Sequence, residues 1–156
     1  MHANWLDSGA ALSAEALRGE GVPYERFPVE AFQGPLDALK RERGYVQQDI
    51  VELRPTTPGI DAICAKFVDE HLHDDDEVRF ILEGEGVFDV RSRGDRTMRI
   101  LVEVADLIVV PAERYHRFLL TESRTIRAVR VFKDASGWIP RYRSIGTPAE
   151  GLRAGP

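Results

Sequence analysis

A mostly β architecture, a small sandwich or barrel with a few short N-terminal and flanking α-helices, is what this sequence predicts. Two observations carry the prediction. From His71 to Phe132 the chain reads as short strand-like segments parted by turn residues every eight to twelve positions, the spacing of antiparallel sandwiches and barrels. Helical periodicity is confined to the part before Glu70.

The elements follow in order. Leu12 to Arg18 is rich in Ala, Leu and Glu and stops at Gly19 and Gly21, so a short helix is expected there. A second helix should run from Pro35 to about Arg43, because proline suits the first helical position and Gly44 the residue just past the end. Tyr45 to Leu53 reads as a strand. Ile60, Ile63, Cys64, Phe67 and Val68 form one apolar stripe at helical spacing. Thr57 is the expected N-cap of that third helix and Pro58 its first turn, and Cys64 reads as a small buried apolar residue. Strands are then expected at Glu77–Glu83, Val87–Arg91, Met98–Val104, Leu107–Val110, His116–Leu120 and Thr125–Phe132. Glu83-Gly84-Glu85-Gly86 reads as a tight hairpin and Ser92 to Arg96 as another turn. Thr147 to Pro156 carries little apolar content, so a flexible tail is expected. With no internal repeat and no linker, residues 1–156 read as one domain whose core spans about 45–143.

Composition narrows the function classes. The chain has 156 residues, 43% hydrophobic and 30% charged, an ordinary globular balance. A net charge of −5 disfavours nucleic acid and anionic membrane as partners. No apolar run approaches the roughly 20 residues of a membrane span, and MHANWLDSGAALSAEAL lacks the basic start and long apolar core of a signal peptide. One cysteine, Cys64, cannot form an internal disulfide and suits a reducing cytoplasm. A cytoplasmic monomer is expected.

Four histidines are present, and three belong to one pattern. His71 and His73 stand at i and i+2, so in an extended chain both imidazoles point to one face. Glu77 follows at a further even offset and opens an apolar strand, where an inward carboxylate needs a metal or a charged partner. His116 lies on a later strand beyond Pro111. Three imidazoles and one carboxylate suit Fe, Ni, Mn, Co or Zn. Four protein donors would leave two positions of a six-coordinate ion for a substrate chelating through two oxygens. His2, near the chain start, reads as a surface residue.

His71-x-His73-x3-Glu77-x6-Gly84 matches the first cupin motif, and Pro111 with His116 matches part of the second. This resemblance implies a double-stranded β-barrel with a metal inside. Ala105 and Glu113 stand where cupins usually have glycine, and Leu120 where Asn is common, so the Pro111–Tyr115 turn is expected to be shaped differently. Glu70-His71-Leu72-His73-Asp74-Asp75-Asp76-Glu77-Val78-Arg79-Phe80 closely resembles the metal-binding segment of the acireductone dioxygenases of methionine salvage. Asp106 to Pro111, His116 to Phe118, Ile126 to Phe132 and Gly137-Trp138 are similar to the same family. The likeness covers about residues 20–143.

The resemblance implies that His71, His73, Glu77 and His116 hold one Fe(2+) or Ni(2+) per chain. It implies Asp76 as the base and Arg79 as the cation beside an enediolate, and it makes an acireductone and O2 the reactants. It further implies cleavage to a 2-oxo acid and formate with iron, or to a shorter carboxylic acid, formate and carbon monoxide with nickel. Ile81 should line the pocket, and Phe118, Phe132 and Trp138 are candidates to pack on the substrate's apolar tail. Two alternatives stand beside this reading. One is a metal-dependent sugar-phosphate isomerase using Arg79, Arg117 or Arg130 for the phosphate. The other is a binding module without catalysis.

Overall fold

A computed structural model describes residues 1–133 and 139–143. The expected tail beyond Thr147, and Trp138, lie outside the described residues. Ten strands and three α-helices are described, in the order β1 (His2–Trp5), α1 (Ala14–Gly19), β2 (Tyr24–Arg26), α2 (Gln33–Arg43), β3 (Gln47–Leu53), α3 (Ile60–Phe67), β4 (His71–Leu72), β5 (Glu77–Arg91), β6 (Thr97–Glu103), β7 (Asp106–Val110), β8 (His116–Leu119), β9 (Ile126–Phe132) and β10 (Arg141–Tyr142). The predicted mostly β class with short helices is therefore what the chain adopts. Ser13 caps α1 by accepting from the Ala16 N–H at 3.0 Å. Gly44 ends α2 in the left-handed region at φ 77°. The cap of α3 is Gly59 rather than Thr57. The Thr57 hydroxyl is turned instead to the Arg54 N–H, at 2.8 Å, and so closes the turn ahead of the helix.

All strand pairing is antiparallel and converges on β5. Its first half pairs with β7 and β9, and its second half with β6 and β8. β5 thus belongs to two sheets, one running β2-β7-β5-β9-β3 and the other β1-β6-β5-β8-β4-β10. Among the described residues the ladders do not close into a ring: β2 and β3 end one sheet, and β1 and β10 the other.

The hairpin expected at Glu83–Gly86 does not form, because β5 runs through that segment for 15 residues. Both glycines serve packing between distant strands. Gly84 sits at φ 74°, where a Cβ would strike the Thr125 carbonyl, and a Cβ on Gly86 would lie 2.5 Å from the Phe118 ring. A register shift between Ile81 and Glu83 marks a bulge. One extra residue reverses the inside–outside alternation. Before the bulge Glu77, Arg79 and Ile81 face inward; after it Phe88 and Val90 do.

Inward residues of both sheets meet in one core containing Ile81, Phe88, Val90, Ile100, Ile108 and Ala128. The opposite face of the first half, Val78 and Phe80, packs beneath Leu36 and Leu39 of α2 in a second cluster. This double burial explains the unbroken apolar run Leu107–Val110 of β7, a strand in which all five residues, Asp106 included, are buried. β1 and β2, which no apolar pattern announced, pair with β6 and β7.

Candidate metal centre

Three short segments bring the donor atoms together. β4 pairs with β8 so that His71 lies directly across from His116. His73 follows β4, and its carbonyl accepts the Glu113 N–H at 2.8 Å. Glu77 opens β5. Donor atoms of His71, His73, Glu77 and His116 all lie within 4.8 Å of one another. The expected four side chains thus lie in one place, gathered by the β4–β8 pairing and by a bend at Asp74–Asp75 rather than by strand alternation alone.

The local bonding prepares this set for a cation. His71 Nδ1 donates to the Asp69 carbonyl at 2.7 Å, and His116 Nδ1 to the Arg114 carbonyl at 2.9 Å. A carbonyl only accepts, so both hydrogens sit on Nδ1 and each Nε2 keeps its lone pair. Yet His116 Nε2 stands 2.7 Å from Glu77 Oε2, another acceptor. A carboxylate only accepts, so this short contact is met by a proton on Nε2 or, with the ring neutral, by a cation between the lone pair and the carboxylate. His73 Nδ1 is buried without a hydrogen-bond partner, a polar atom that ordinarily costs stability. The chemistry of the donors and their approach to within 4.8 Å of one another fit a divalent metal ion.

Electrostatics point the same way. Burial pushes His73 down to about 4, with the neighbouring imidazoles adding to the effect against Glu77. Burial and the His116 ring also lower His71. Burial alone would oppose ionisation of Glu77, but Arg79, His116 and His73 outweigh it and hold the carboxyl well below the usual range. The downward shifts of His71 and His73 and the ionisation of Glu77 favour the forms in which these side chains bind metal.

Arg79 stands beside the cluster, its Nη2 3.1 Å from Glu77 Oε1 and its Nη1 donating to the Val78 carbonyl at 2.9 Å. The cluster and Arg79 line a cavity of about 340 Å³. Its apolar walls come from Val51 and Leu53 of β3, Ile63 and Phe67 of α3, Phe88 of β5 and Phe118 of β8. Phe118 meets Phe67 edge-on at 5.7 Å and leans on Phe88 at 4.9 Å. Lys66, Arg130 and Tyr142 supply polar edges. Arg130 is held by Asp49 through two bonds of 2.8 and 2.6 Å.

The other expected site residues divide. Phe118 lines the cavity. Ile81 does not: it faces inward but is fully buried in the core, deeper than the cavity reaches. Phe132 does not either, since it lies at the far end of β9, paired with Gln47 beyond the lining residues Ile126, Ala128 and Arg130. Asp76 is turned away from the cluster. Its Oδ2 accepts from the Tyr45 hydroxyl at 2.5 Å and its Oδ1 from the Ala112 N–H at 2.8 Å. Arg117 is also turned away, bonded to Asp89 at 2.8 Å, so it offers nothing to a phosphate in the cavity. Sequence reasoning missed the β3 wall and Tyr142. The alternation of Val51 and Leu53 held a signal, but nothing local said that β3 would cover the site.

Within the Pro111–Tyr115 turn one residue other than glycine takes a left-handed backbone, and a second lies at Ala105. Glu113 sits at φ 59° and Ala105 at φ 78°. Both are strained for residues with a Cβ, and both use the N–H, Glu113 toward His73 and Ala105 toward Ile81 at 2.9 Å.

Two antiparallel sheets enclosing a histidine–carboxylate cluster define a cupin with a metal-binding site. The family model described as ARD/ARD' matches residues 26–140. An acireductone dioxygenase of Heterostelium pallidum is 46% identical over 143 residues, covering 92% of this chain and 98% of that protein. One from Dictyostelium discoideum is 46% identical over 136 residues, 85% of this chain and 91% of its own length. In three dimensions the chain is similar to the acireductone dioxygenase of Bacillus anthracis with a cadmium ion in its active centre. That match has a TM-score of 0.86 and 27% identity, over 90% of this chain and 97% of that one. The chain belongs to the acireductone dioxygenase (ARD/ARD') family.

Proposed function

We propose that this protein is a metal-dependent acireductone dioxygenase of methionine salvage, with His71, His73, Glu77 and His116 as ligands of one Fe(II) or Ni(II) ion. The carrying observation is the convergence of three imidazoles and an ionised carboxylate at a largely apolar cavity that also presents Arg79. A divalent ion in this cluster supplies Lewis acidity and a template for a ligand chelating through two oxygens.

The chain's own groups do the rest. Arg79 sets a buried positive charge next to the position where an enediolate oxygen would lie, stabilising the deprotonated substrate. Phe67, Phe88 and Phe118 take the apolar methylthio end and exclude water from it. The substrate, 1,2-dihydroxy-3-keto-5-methylthiopentene, combines with O2 to give 4-methylthio-2-oxobutanoate and formate. The nickel form of the same reaction gives 3-methylthiopropanoate, formate and carbon monoxide. No helix among the described residues is long and apolar enough to cross a membrane, and we place the reaction in the cytoplasm, with the chain acting as a monomer.

The test is to generate the acireductone anaerobically, admit air with Fe(II)- or Ni(II)-loaded protein, and follow ultraviolet decay together with formate and carbon monoxide. Decay with formate from loaded protein, lost in His116→Ala, supports the reading. No decay above the uncatalysed rate, with metal confirmed bound, overturns it.

A further inference from the structure

We infer that Tyr45 and Asp76 are positioning residues for the metal centre: the carboxylate of Asp76, aimed by the Tyr45 hydroxyl, ties the segment carrying His73 and Glu77 to the turn that leads into His116. This rests on the metal-centre reading above. It concerns residues that never meet the cavity.

The geometry is a clamp between two ligand-bearing segments. Asp76 immediately precedes Glu77 and lies three residues after His73. Its Oδ1 accepts the Ala112 N–H at 2.8 Å, and Ala112 is four residues before His116. A second strut runs alongside, from the Glu113 N–H to the His73 carbonyl at 2.8 Å. These bonds continue past the end of the β5–β7 ladder at Glu77 and Val110 and brace the loops on the side where β4 meets β8 only at His71 and His116.

The second oxygen of Asp76 receives the Tyr45 hydroxyl at 2.5 Å, with the Arg43 guanidinium at 3.5 Å. Tyr45 is only 4% exposed and belongs to the cluster beneath α2. Its ring is fixed by packing against buried residues, so its hydroxyl is a rigid anchor rather than a mobile surface group. Burial first, and then the bond to Asp76, push the Tyr45 phenol upward. The hydroxyl therefore remains a donor. Outer-shell groups that orient ligands commonly change metal affinity by about 10–100-fold when removed.

The molecule contains its own control. Tyr24 donates to the buried Asp106 at 2.6 Å, a similar hydroxyl–carboxylate pair with neither member among the cavity-lining residues. The experiment compares Tyr45→Phe, Asp76→Asn and Tyr24→Phe with the parent protein. Ni(II) affinity is read by chelator competition, the visible bands of Co(II)-loaded protein report ligand geometry, and melting without metal reports the fold.

Tyr45→Phe should weaken Ni(II) by about tenfold and Asp76→Asn by about 10–100-fold, both with altered Co(II) bands. Tyr24→Phe should lower the melting temperature and leave affinity and bands unchanged. Unchanged affinity and bands in both Tyr45→Phe and Asp76→Asn would overturn the inference, as would a parent that binds no metal. Loss of turnover in Asp76→Asn alone, with metal binding intact, would assign that carboxylate to proton transfer instead. Weakened metal binding in a protein inert toward acireductone would leave the clamp standing and remove only the proposed reaction.

Discussion

β5 carries two buried carboxylates, Glu77 and Asp89, and they are treated in opposite ways. Asp89 lies in the outward alternation of the second half, nearly fully buried, and is gripped by Arg99 at 2.8 Å through both oxygens and by Arg117 at 2.8 Å. Its bonding is complete within the protein. Glu77 faces inward on the first half with Arg79 3.1 Å from one oxygen, and with His116 Nε2 at 2.7 Å and His73 Nε2 at 3.6 Å from the other. Buried charge that is fully paired reads as architecture; buried charge left short of a cation reads as a site.

The largest expected effect comes from neutralising the open carboxylate. Glu77→Gln should cut Ni(II) affinity by more than the roughly 100-fold typical of outer-shell losses and abolish turnover. Isothermal titration with Ni(II) beside the oxygen-uptake assay checks it, and near-parental affinity would break the contrast at its strongest point.

Next comes the join between the two halves. Gly84→Ala forces a Cβ into the Thr125 carbonyl at a positive φ, and the expected destabilisation is about 3 kcal/mol or more, read from urea unfolding. A neutral result would mean that the bulge is not the fixed point separating the halves.

Asp89→Asn should cost about 2 kcal/mol, below the 3–5 kcal/mol of a fully buried pair, because the side chains of Arg99 and Arg117 are 36% and 37% exposed and rehydrate. Metal affinity should stay at the parental level. Burial of Asp89 opposes ionisation, but the bonds from Arg99 and Arg117 win and its carboxyl is lowered from 3.8. A carboxyl lowered on folding contributes stability that is present above its unfolded value and is lost as pH falls through the folded one. The parent should therefore weaken as pH drops below about 3.8, and Asp89→Asn should flatten that part of the curve in acid unfolding.

The smallest effect is a gain. Ala105→Gly relieves the left-handed strain at φ 78° against the added freedom of the unfolded glycine, for a net stabilisation of about 0.5 kcal/mol. A loss of stability would show that the Ala105 methyl packs usefully.

The candidate donor set was legible in part because two-residue alternation is a local property: His71 and His73 needed only a locally extended backbone to share a face, whereas the chain bends at Asp74 and Asp75 before Glu77 opens β5. The family words around Asp76 and Arg79 reached the site as well. What failed depended on distant partners. Gly84 and Gly86 look like hairpin residues until Thr125 and Phe118 are known to press against them. Ile81 shares the inward face of Arg79, yet alternation does not say how deep a cavity goes. Asp76 follows the same rule in reverse: alternation aimed it away from the donors, and Tyr45, far upstream, received it. β1 was hidden because four residues without a pattern become a strand only once β6 is there to pair with.

The bulge in β5 also sets where the chain can tolerate a change in length. Adding one residue between Ile81 and Glu83, beyond the one the bulge absorbs, would rotate everything downstream by half a turn, putting Asp89 into the oily interior and Phe88 into water. The Ser92–Arg96 turn has no such phase to keep, since its tip is exposed and added residues there only lengthen a loop. Natural insertions and deletions should therefore gather at that turn and spare the bulge, so that the spacing from Glu77 to Phe88 is as fixed as the residues themselves.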